Sequence, residues 1–372
     1  MRWPWSARLA GARRPLDALL RARWIDALVA PRSIDDYLPL FDPLWSVHRV
    51  RARLQDVRRE TTEAVSLWLL PNESWRGFRA GQFVLLSVRI DGVRHSRCFS
   101  LSSAPEDQPA LRVTLKAHPG GLVSGWARER ARPGDLVELS QAMGRFVLPA
   151  PVPTSLLFIS GGSGITPILS LIRHLVLAGY DGDIRCLHYA RDEVLFRHEL
   201  EALARMSGSI RFQPLLTRRS PSSRFSPAQL EDFAPAWAES ETFLCGPAPL
   251  EEEVTELWRA QGVTHRLHVE RFGRARATNR ARSMEPGARR RIVFERSGRQ
   301  IEGDSSTSLL EQAELAGLRP PHGCRVGICR GCQCRKITGV VRNELTGEEA
   351  GALDEAIRLC ISTPVTDVTL DL

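Results

Sequence analysis

Residues 323–332 read Gly-Cys-Arg-Val-Gly-Ile-Cys-Arg-Gly-Cys, which places Cys324, Cys329 and Cys332 on one short loop. This C-x4-C-x2-C spacing, completed by the distant Cys360, is that of a [2Fe-2S] site held by four thiolates. Gly323, Gly327 and Gly331 interleave the ligands, so backbone N–H groups can approach negatively charged sulfurs. A zinc site usually shows two paired C-x2-C knuckles, and a disulfide framework needs an extracellular chain; neither matches as well. Cys334, two residues past Cys332, is an extra thiol that strand alternation turns away from the metal, and it reads as a free buried cysteine. One-electron transfer is the first functional expectation.

Working outward, the 372 residues suit two or three domains of ordinary size. No apolar run reaches the roughly 18 residues needed to span a bilayer. Arg and Asp interrupt Met1–Ala30, leaving no signal-peptide core. The expectation is a cytoplasmic chain whose eight cysteines stay reduced or bind metal. The net charge of +8 is uneven: Ile292–Leu372 holds 9 Lys plus Arg against 12 Asp plus Glu, a balance of −3, so the rest carries +11. A cationic body beside an acidic C-terminal domain suits mutual attraction and a dinucleotide phosphate. Arg is scattered rather than interleaved with aromatics in a recognisable module, which argues against nucleic acid as the partner.

Residues 1–48 form an extension in which Leu16, Leu19, Leu20, Ile25, Leu28 and Val29 mark a short amphipathic helix, packed on the protein body or, alternatively, peripheral on the inner membrane face. From 49 to 150, strand-like runs such as Ala64–Leu70, Gln82–Ile90 and Leu111–Lys116 alternate with Gly, Pro and Asp turns, predicting an antiparallel barrel with one helix near Leu122–Arg130. From 151 to 270, apolar strands are followed by helices, predicting a parallel sheet wrapped by helices. Residues 271–290 are Arg-rich without apolar periodicity and read as a solvated linker. The last domain, 291–372, opens with two strands and a helix before the cysteine loop.

Arg97-Cys98-Phe99-Ser100 offers a guanidinium for a pyrophosphate, an aromatic face for an isoalloxazine and a hydroxyl for the flavin edge. Lys116 and Gly120-Gly121-Leu122-Val123-Ser124 follow, the latter leading into a helix whose N-terminal amides suit a phosphate. Gly161-Gly162-Ser163-Gly164-Ile165-Thr166-Pro167 follows a strand directly, and Thr166-Pro167 reads as an N-cap with proline at the first helical position. Cys245-Gly246-Pro247 closes the last apolar strand of that section.

In their order and spacing these motifs resemble the ferredoxin-NADP reductase family, joined to a plant-type [2Fe-2S] ferredoxin domain. The resemblance runs from about residue 49 to the C-terminus, and Phe99 stands where the family usually has Tyr. It implies a multi-domain β, α/β and α+β protein: an antiparallel FAD-binding barrel, a parallel-sheet nicotinamide domain and a β-grasp ferredoxin domain. It implies FAD on Arg97, Phe99, Ser100, Lys116, Gly121, Leu122, Val123 and Ser124, and a nicotinamide nucleotide on Gly162, Gly164, Thr166, Cys245 and Gly246. Ser100 and Cys245 flank the hydride-transfer step, and Cys324, Cys329, Cys332 and Cys360 hold the cluster.

In Leu216–Phe225, Thr217-Arg218 and Arg224-Phe225 are similar to the pairs that NADPH-using relatives place there; Arg218 and Arg224 can pair with a 2′-phosphate. No acidic residue for a free ribose hydroxyl stands in that segment, so NADPH is favoured over NADH. The stretches Ile34–Leu38 and Asp42–Ser46 resemble the extension of bacterial reductases that serve membrane acyl-CoA desaturases, making such an enzyme the expected acceptor. The alternative is a soluble hydroxylase, such as a Rieske-type oxygenase. A zinc-binding, nucleic-acid-gripping adaptor is the rival from another class, and it predicts a colourless protein.

Overall fold

The computed structural model describes residues 20, 29, 33–107, 109–118, 120–218, 223–272, 289–323, 325, 327, 331–344 and 346–372. Apart from Leu20 and Val29, the expected N-terminal helix, and with it the membrane contact, lies outside the described residues. The chain forms two compact units: one of the segment through His95 with Phe99–Glu270, the other of Arg271–Leu372 with Ser96–Cys98.

In the first unit β1 (Val50–Arg59), β2 (Ala64–Pro71), β3 (Phe83–Ile90), β4 (Val93–Ser100), β5 (Leu111–Lys116) and β6 (Leu136–Leu139) make a sheet in the order β4-β3-β6-β1-β2-β5. The pairs β1–β2, β1–β6, β2–β5 and β3–β6 are antiparallel. Alternate residues of each strand turn to one face. Ala52 and Leu54, Val65, Leu67 and Leu69, Val84, Leu86 and Val88, and Leu111, Val113 and Leu115 therefore share one core. Helix α1 (Leu122–Glu129) adds Val123 and Ala127, four residues apart and so on one helical face.

The same unit continues with β7 (Ser155–Gly161), α2 (Ile165–Leu177), β8 (Asp183–Ala190), α3 (Arg197–Ser207), β9 (Ile210–Leu216), α4 (Pro227–Phe233), β10 (Glu241–Gly246), α5 (Ala248–Ala260) and β11 (Leu267–Arg271). The sheet order is β11-β10-β7-β8-β9, with β10, β7, β8 and β9 parallel. Both faces are covered: Leu156 and Phe158 enter one core, Leu157 and Ile159 another. The order reverses between β7 and β10, where open α/β sheets bind ligands outside the carboxyl ends of their strands.

Two expectations are corrected here. A 3-10 turn, Gly162–Gly164, runs straight into α2, so Gly164 and not Thr166 is the N-cap. Thr166 Oγ1 instead donates to Ser163 O at 2.9 Å, and Pro167 sits inside the first turn, where its missing N–H leaves no bond unmade. The linker also ends sooner than 290. Arg289 already opens a strand opposite Asp304, with its guanidinium 3.0 Å from Glu302.

The second unit contains β12 (Arg289–Phe294), β13 (Arg299–Asp304), α6 (Leu309–Leu315), β14 (Gln333–Thr338), β15 (Val341–Asn343), β16 (Glu349–Ala350), β17 (Glu355–Arg358), β18 (Ser362–Pro364) and β19 (Val368–Leu370). A five-stranded sheet, β13-β12-β19-β14-β17, stands beside a three-stranded one, β16-β15-β18. Leu309, Leu310 and Ala313 of α6 pack on Ile292, Phe294, Val368 and Leu370. Among the described residues no helix is long and apolar enough to cross a membrane.

The stretch before β1 is tied down by one carboxylate. Asp35, fully buried, accepts from Ser46 Oγ at 2.7 Å, Val47 N at 2.7 Å and His48 N at 3.1 Å. Asp35→Ala leaves these donors unpaired and is expected to cost about 3 kcal/mol, read as a lower urea midpoint for the first unit.

Candidate active site

At the switch point, strand ends about eighty residues apart in sequence form one surface. A Cβ on Gly164 would stand 1.9 Å from Cys245 O; one on Gly161 would stand 2.5 Å from Pro247 Cδ. A Cβ on Gly246 would meet Leu250 Cδ2 at 2.9 Å and Gly161 N at 3.1 Å. Gly162, by contrast, has open space around it and needs glycine for its φ of +57°. The fold thus brings Gly162, Gly164, Cys245 and Gly246 together as a smooth floor of main chain at the start of α2, shaped for a flat ring and a phosphate. Thr166 belongs to the helix above it. Cys245 is fully buried, and burial, with Glu270 and Glu251 adding to it, pushes its thiol well above the ordinary range. It is a neutral packing surface, not a nucleophile.

Sequence reasoning missed Glu270. This half-buried carboxyl on β11 has an Oε2 that is itself buried and without a hydrogen-bond partner among the described residues, and burial pushes its pKa up to about 8. It therefore carries a proton at neutral pH beside Cys245, a combination that marks functional sites. The one available signal was the acidic residue within Leu267–Arg271, whose strand character went unread.

On the barrel side, Ser100 at the end of β4 is buried and its Oγ has no hydrogen-bond partner among the described residues. Phe99 packs half-buried on the barrel core, and Arg97 lies on the same strand, two residues before it. Gly121 caps α1, and a Cβ there would meet Ser124 Oγ at 2.5 Å. Val123 is buried in the barrel core and Leu122 is half-exposed, so the contribution of these two to a phosphate site is their backbone N–H groups and not their side chains. Lys116 pairs with Glu63 at 3.1 Å. An orphaned buried hydroxyl, a glycine cradle and free helix amides fit a flavin with its pyrophosphate.

At the far end of the sheet, Thr217 donates its hydroxyl to Ala190 O at 3.2 Å, and Arg218 pairs with Asp192 at 2.8 Å. The expectation that no acidic residue stands there holds for Leu216–Phe225 alone, because Asp192 arrives from the end of the neighbouring strand. Arg224 is exposed, and Phe225 packs edge-on to Tyr189.

In the second unit, Cys332 and Cys360 are buried and neighbouring. Antiparallel pairing of Gln333 with Arg358 and the Leu359 N to Cys332 O bond of 3.1 Å fix their segments together. Gly327 N donates to Cys360 Sγ at 3.3 Å. Gly327 has φ +77°, and a Cβ there would meet Ile361 Cδ1 at 2.6 Å, so this position calls for glycine. Two buried cysteines on paired segments, one of them accepting a backbone N–H bond, fit a [2Fe-2S] cluster. Cys324 and Cys329 lie outside the described residues. Cys334 is a free buried thiol whose Sγ faces Asp371 O.

Three family descriptions match in the expected order: an oxidoreductase FAD-binding domain over 57–148, an oxidoreductase NAD-binding domain over 158–256, and a 2Fe-2S iron-sulfur cluster binding domain over 292–365. The chain is 35% identical over 353 residues to an NADPH oxidoreductase of Mycobacterium tuberculosis, covering 93% of this chain and 90% of that protein. It is 27% identical to a glycine betaine monooxygenase reductase subunit of Chromohalobacter salexigens, covering 90% and 98%. The fold matches that of phthalate dioxygenase reductase, with a TM-score of 0.59 and 24% identity over 87% of this chain and 98% of that one. The chain belongs to the ferredoxin-reductase-type oxidoreductases that combine FAD-binding, NAD-binding and [2Fe-2S] domains.

The Glu270 carboxyl gives a pH signature. Folded, it keeps its proton up to about pH 8, whereas unfolded it ionises near 4.5. Its contribution to stability is complete below the lower value and declines as pH rises towards the upper one. Glu270→Gln cannot ionise, so its melting temperature relative to the native protein is expected to rise by about 3 °C or more between about pH 5 and pH 8.5. A pH-independent difference in calorimetry would contradict the shift.

Proposed function

We propose that this chain takes electron pairs from NADPH and delivers single electrons to an oxygen-activating iron enzyme, a membrane acyl-CoA desaturase, at the cytoplasmic membrane face. The observation that carries the donor half is the switch-point floor of Gly162, Gly164, Cys245 and Gly246, with Arg218 and Arg224 at the far end of the same sheet. Bound FAD supplies the conversion between two-electron and one-electron chemistry, and a [2Fe-2S] cluster supplies the one-electron exit.

The chain's own residues do the rest. Arg97 and the amides of Leu122, Val123 and Ser124, behind the Gly121 cap, bind the flavin pyrophosphate, with Lys116 at its edge. Phe99 stacks on the isoalloxazine, and Ser100 Oγ bonds its edge. The neutral Cys245 thiol supports the nicotinamide ring from below, and the amides at the start of α2, with Gly162, Gly164 and Thr166, bind its pyrophosphate. Glu270 holds a proton at the buried end of this crevice. Arg218 and Arg224 pair with the 2′-phosphate, for which Asp192 competes. Cys324, Cys329, Cys332 and Cys360 hold the cluster.

The desaturase reading rests on the resemblance of the stretches Ile34–Leu38 and Asp42–Ser46 to the extension of reductases that serve such desaturases. A soluble Rieske-type oxygenase is the second reading, favoured by the oxygenase named for the Chromohalobacter relative. Product formation from NADPH is to be measured with desaturase-containing membranes and, separately, with a soluble Rieske oxygenase. Turnover with the membranes alone supports the first reading, and turnover with the soluble enzyme alone contradicts it. Asp192→Asn is expected to lower KM for NADPH several-fold while leaving KM for NADH within twofold, since an exposed pair is worth up to about 1 kcal/mol. Equal changes for both nucleotides would remove Arg218 from the 2′-phosphate site.

A further inference from the structure

Within the first unit the barrel and the nicotinamide lobe are joined by a chain of alternating charges. Arg112 of β5, 7% exposed, donates to Glu199 of α3 through two N–H groups, at 2.8 and 3.0 Å. The same carboxylate accepts from Arg173 of α2 at 2.6 Å, and Arg173 Nε donates back to Asp107 of the barrel at 2.9 Å. The Arg112 guanidinium also lies between two aromatic rings, Trp68 of β2 at 5.6 Å and Phe196, just ahead of α3, at 4.9 Å. Charge and stacking thus both cross the seam at one residue.

This network grips the main chain immediately downstream of Ser100. Arg112 donates to Ser102 O at 2.8 Å, and Ser170 Oγ of α2 donates to Ser103 O at 2.6 Å. The segment that carries the flavin-facing hydroxyl is therefore fastened to two helices of the nicotinamide lobe. Removing the Glu199 charge leaves two guanidinium groups competing for Asp107, and the buried one, Arg112, loses its ionic partner.

We propose that Glu199 is a positioning residue for hydride transfer: by holding Arg112 against the segment after Ser100, it sets the distance between the flavin edge and the nicotinamide floor at Gly164 and Cys245. The inference rests on the functional reading above. In the transfer, the nicotinamide C4–H bond breaks with its electron pair and a flavin N5–H bond forms, so the same two electrons oxidise one and reduce the other. Reaching that geometry requires reacting atoms about 3 to 3.5 Å apart, and a 1 Å misplacement costs about 100-fold in rate.

The test uses the full-length, FAD-loaded protein in anaerobic stopped flow, with unlabelled and 4-deuterated NADPH. Glu199→Gln is expected to slow flavin reduction at saturating NADPH by tenfold or more and to make the isotope effect more temperature-dependent, with FAD content unchanged. Glu199→Asp should recover part of the rate. Asp107→Asn, at the more exposed end of the chain, should slow reduction in the same sense by a smaller factor, and it serves if Glu199→Gln does not fold. A lower melting temperature with rate and isotope effect within twofold of the native protein overturns the proposal and leaves Glu199 a structural residue. Native protein that neither NADPH nor NADH reduces overturns instead the donor assignment beneath it.

Discussion

The main chain of Gly164 lies so close to the carbonyl of Cys245 that no side chain fits between them. Everything proposed for the donor half of the reaction depends on that contact. It brings the first turn of α2 and the end of β10 to one level, and with them the amides proposed to bind phosphate and the thiol proposed to support the ring. A parallel sheet reaches this state because its order reverses between β7 and β10, leaving the crevice where the two connections diverge.

Within each unit, buried polar groups divide into two kinds. Lys336 in the second unit is fully buried yet donates to Gly339 O and Ala352 O, and such a satisfied group holds the fold. Ser100 Oγ and Glu270 Oε2 lack partners among the described residues. Leaving a buried polar atom unpaired costs about 1 to 3 kcal/mol, more than the exposed Arg218–Asp192 pair can contribute. Other buried atoms, among them Arg112 Nε and His188 Nε2, are likewise without a partner among the described residues, so it is their places on β4 and β11 that make Ser100 and Glu270 candidates for a ligand.

Much of this was legible in the sequence where the code is local. The cysteine spacing, the alternation in β2 and β5 and the glycine turn after β7 each reside in fewer than a dozen residues. The corrections share a different cause. Thr166 read as a cap because a 3-10 turn ahead of a helix leaves no periodic mark, and the linker read too long because the Arg-rich run continues into β12. Strand β9 was hidden by Arg211, Gln213 and Pro214, tolerated because it lies at a sheet edge. Asp192, Glu270 and the Arg112–Glu199 link depend on which strand ends and helices become neighbours, and no spacing within one segment encodes that.

The central claim is that one chain accepts electrons from NADPH and passes them to an iron-sulfur cluster through a flavin. Its most direct measurement is an anaerobic NADPH titration of cofactor-reconstituted protein, followed by visible absorption and by low-temperature electron paramagnetic resonance. The account predicts bleaching of flavin and cluster bands together with the spectrum of a reduced [2Fe-2S] centre. A colourless protein, or flavin bleaching with no cluster signal at any NADPH excess, would contradict it.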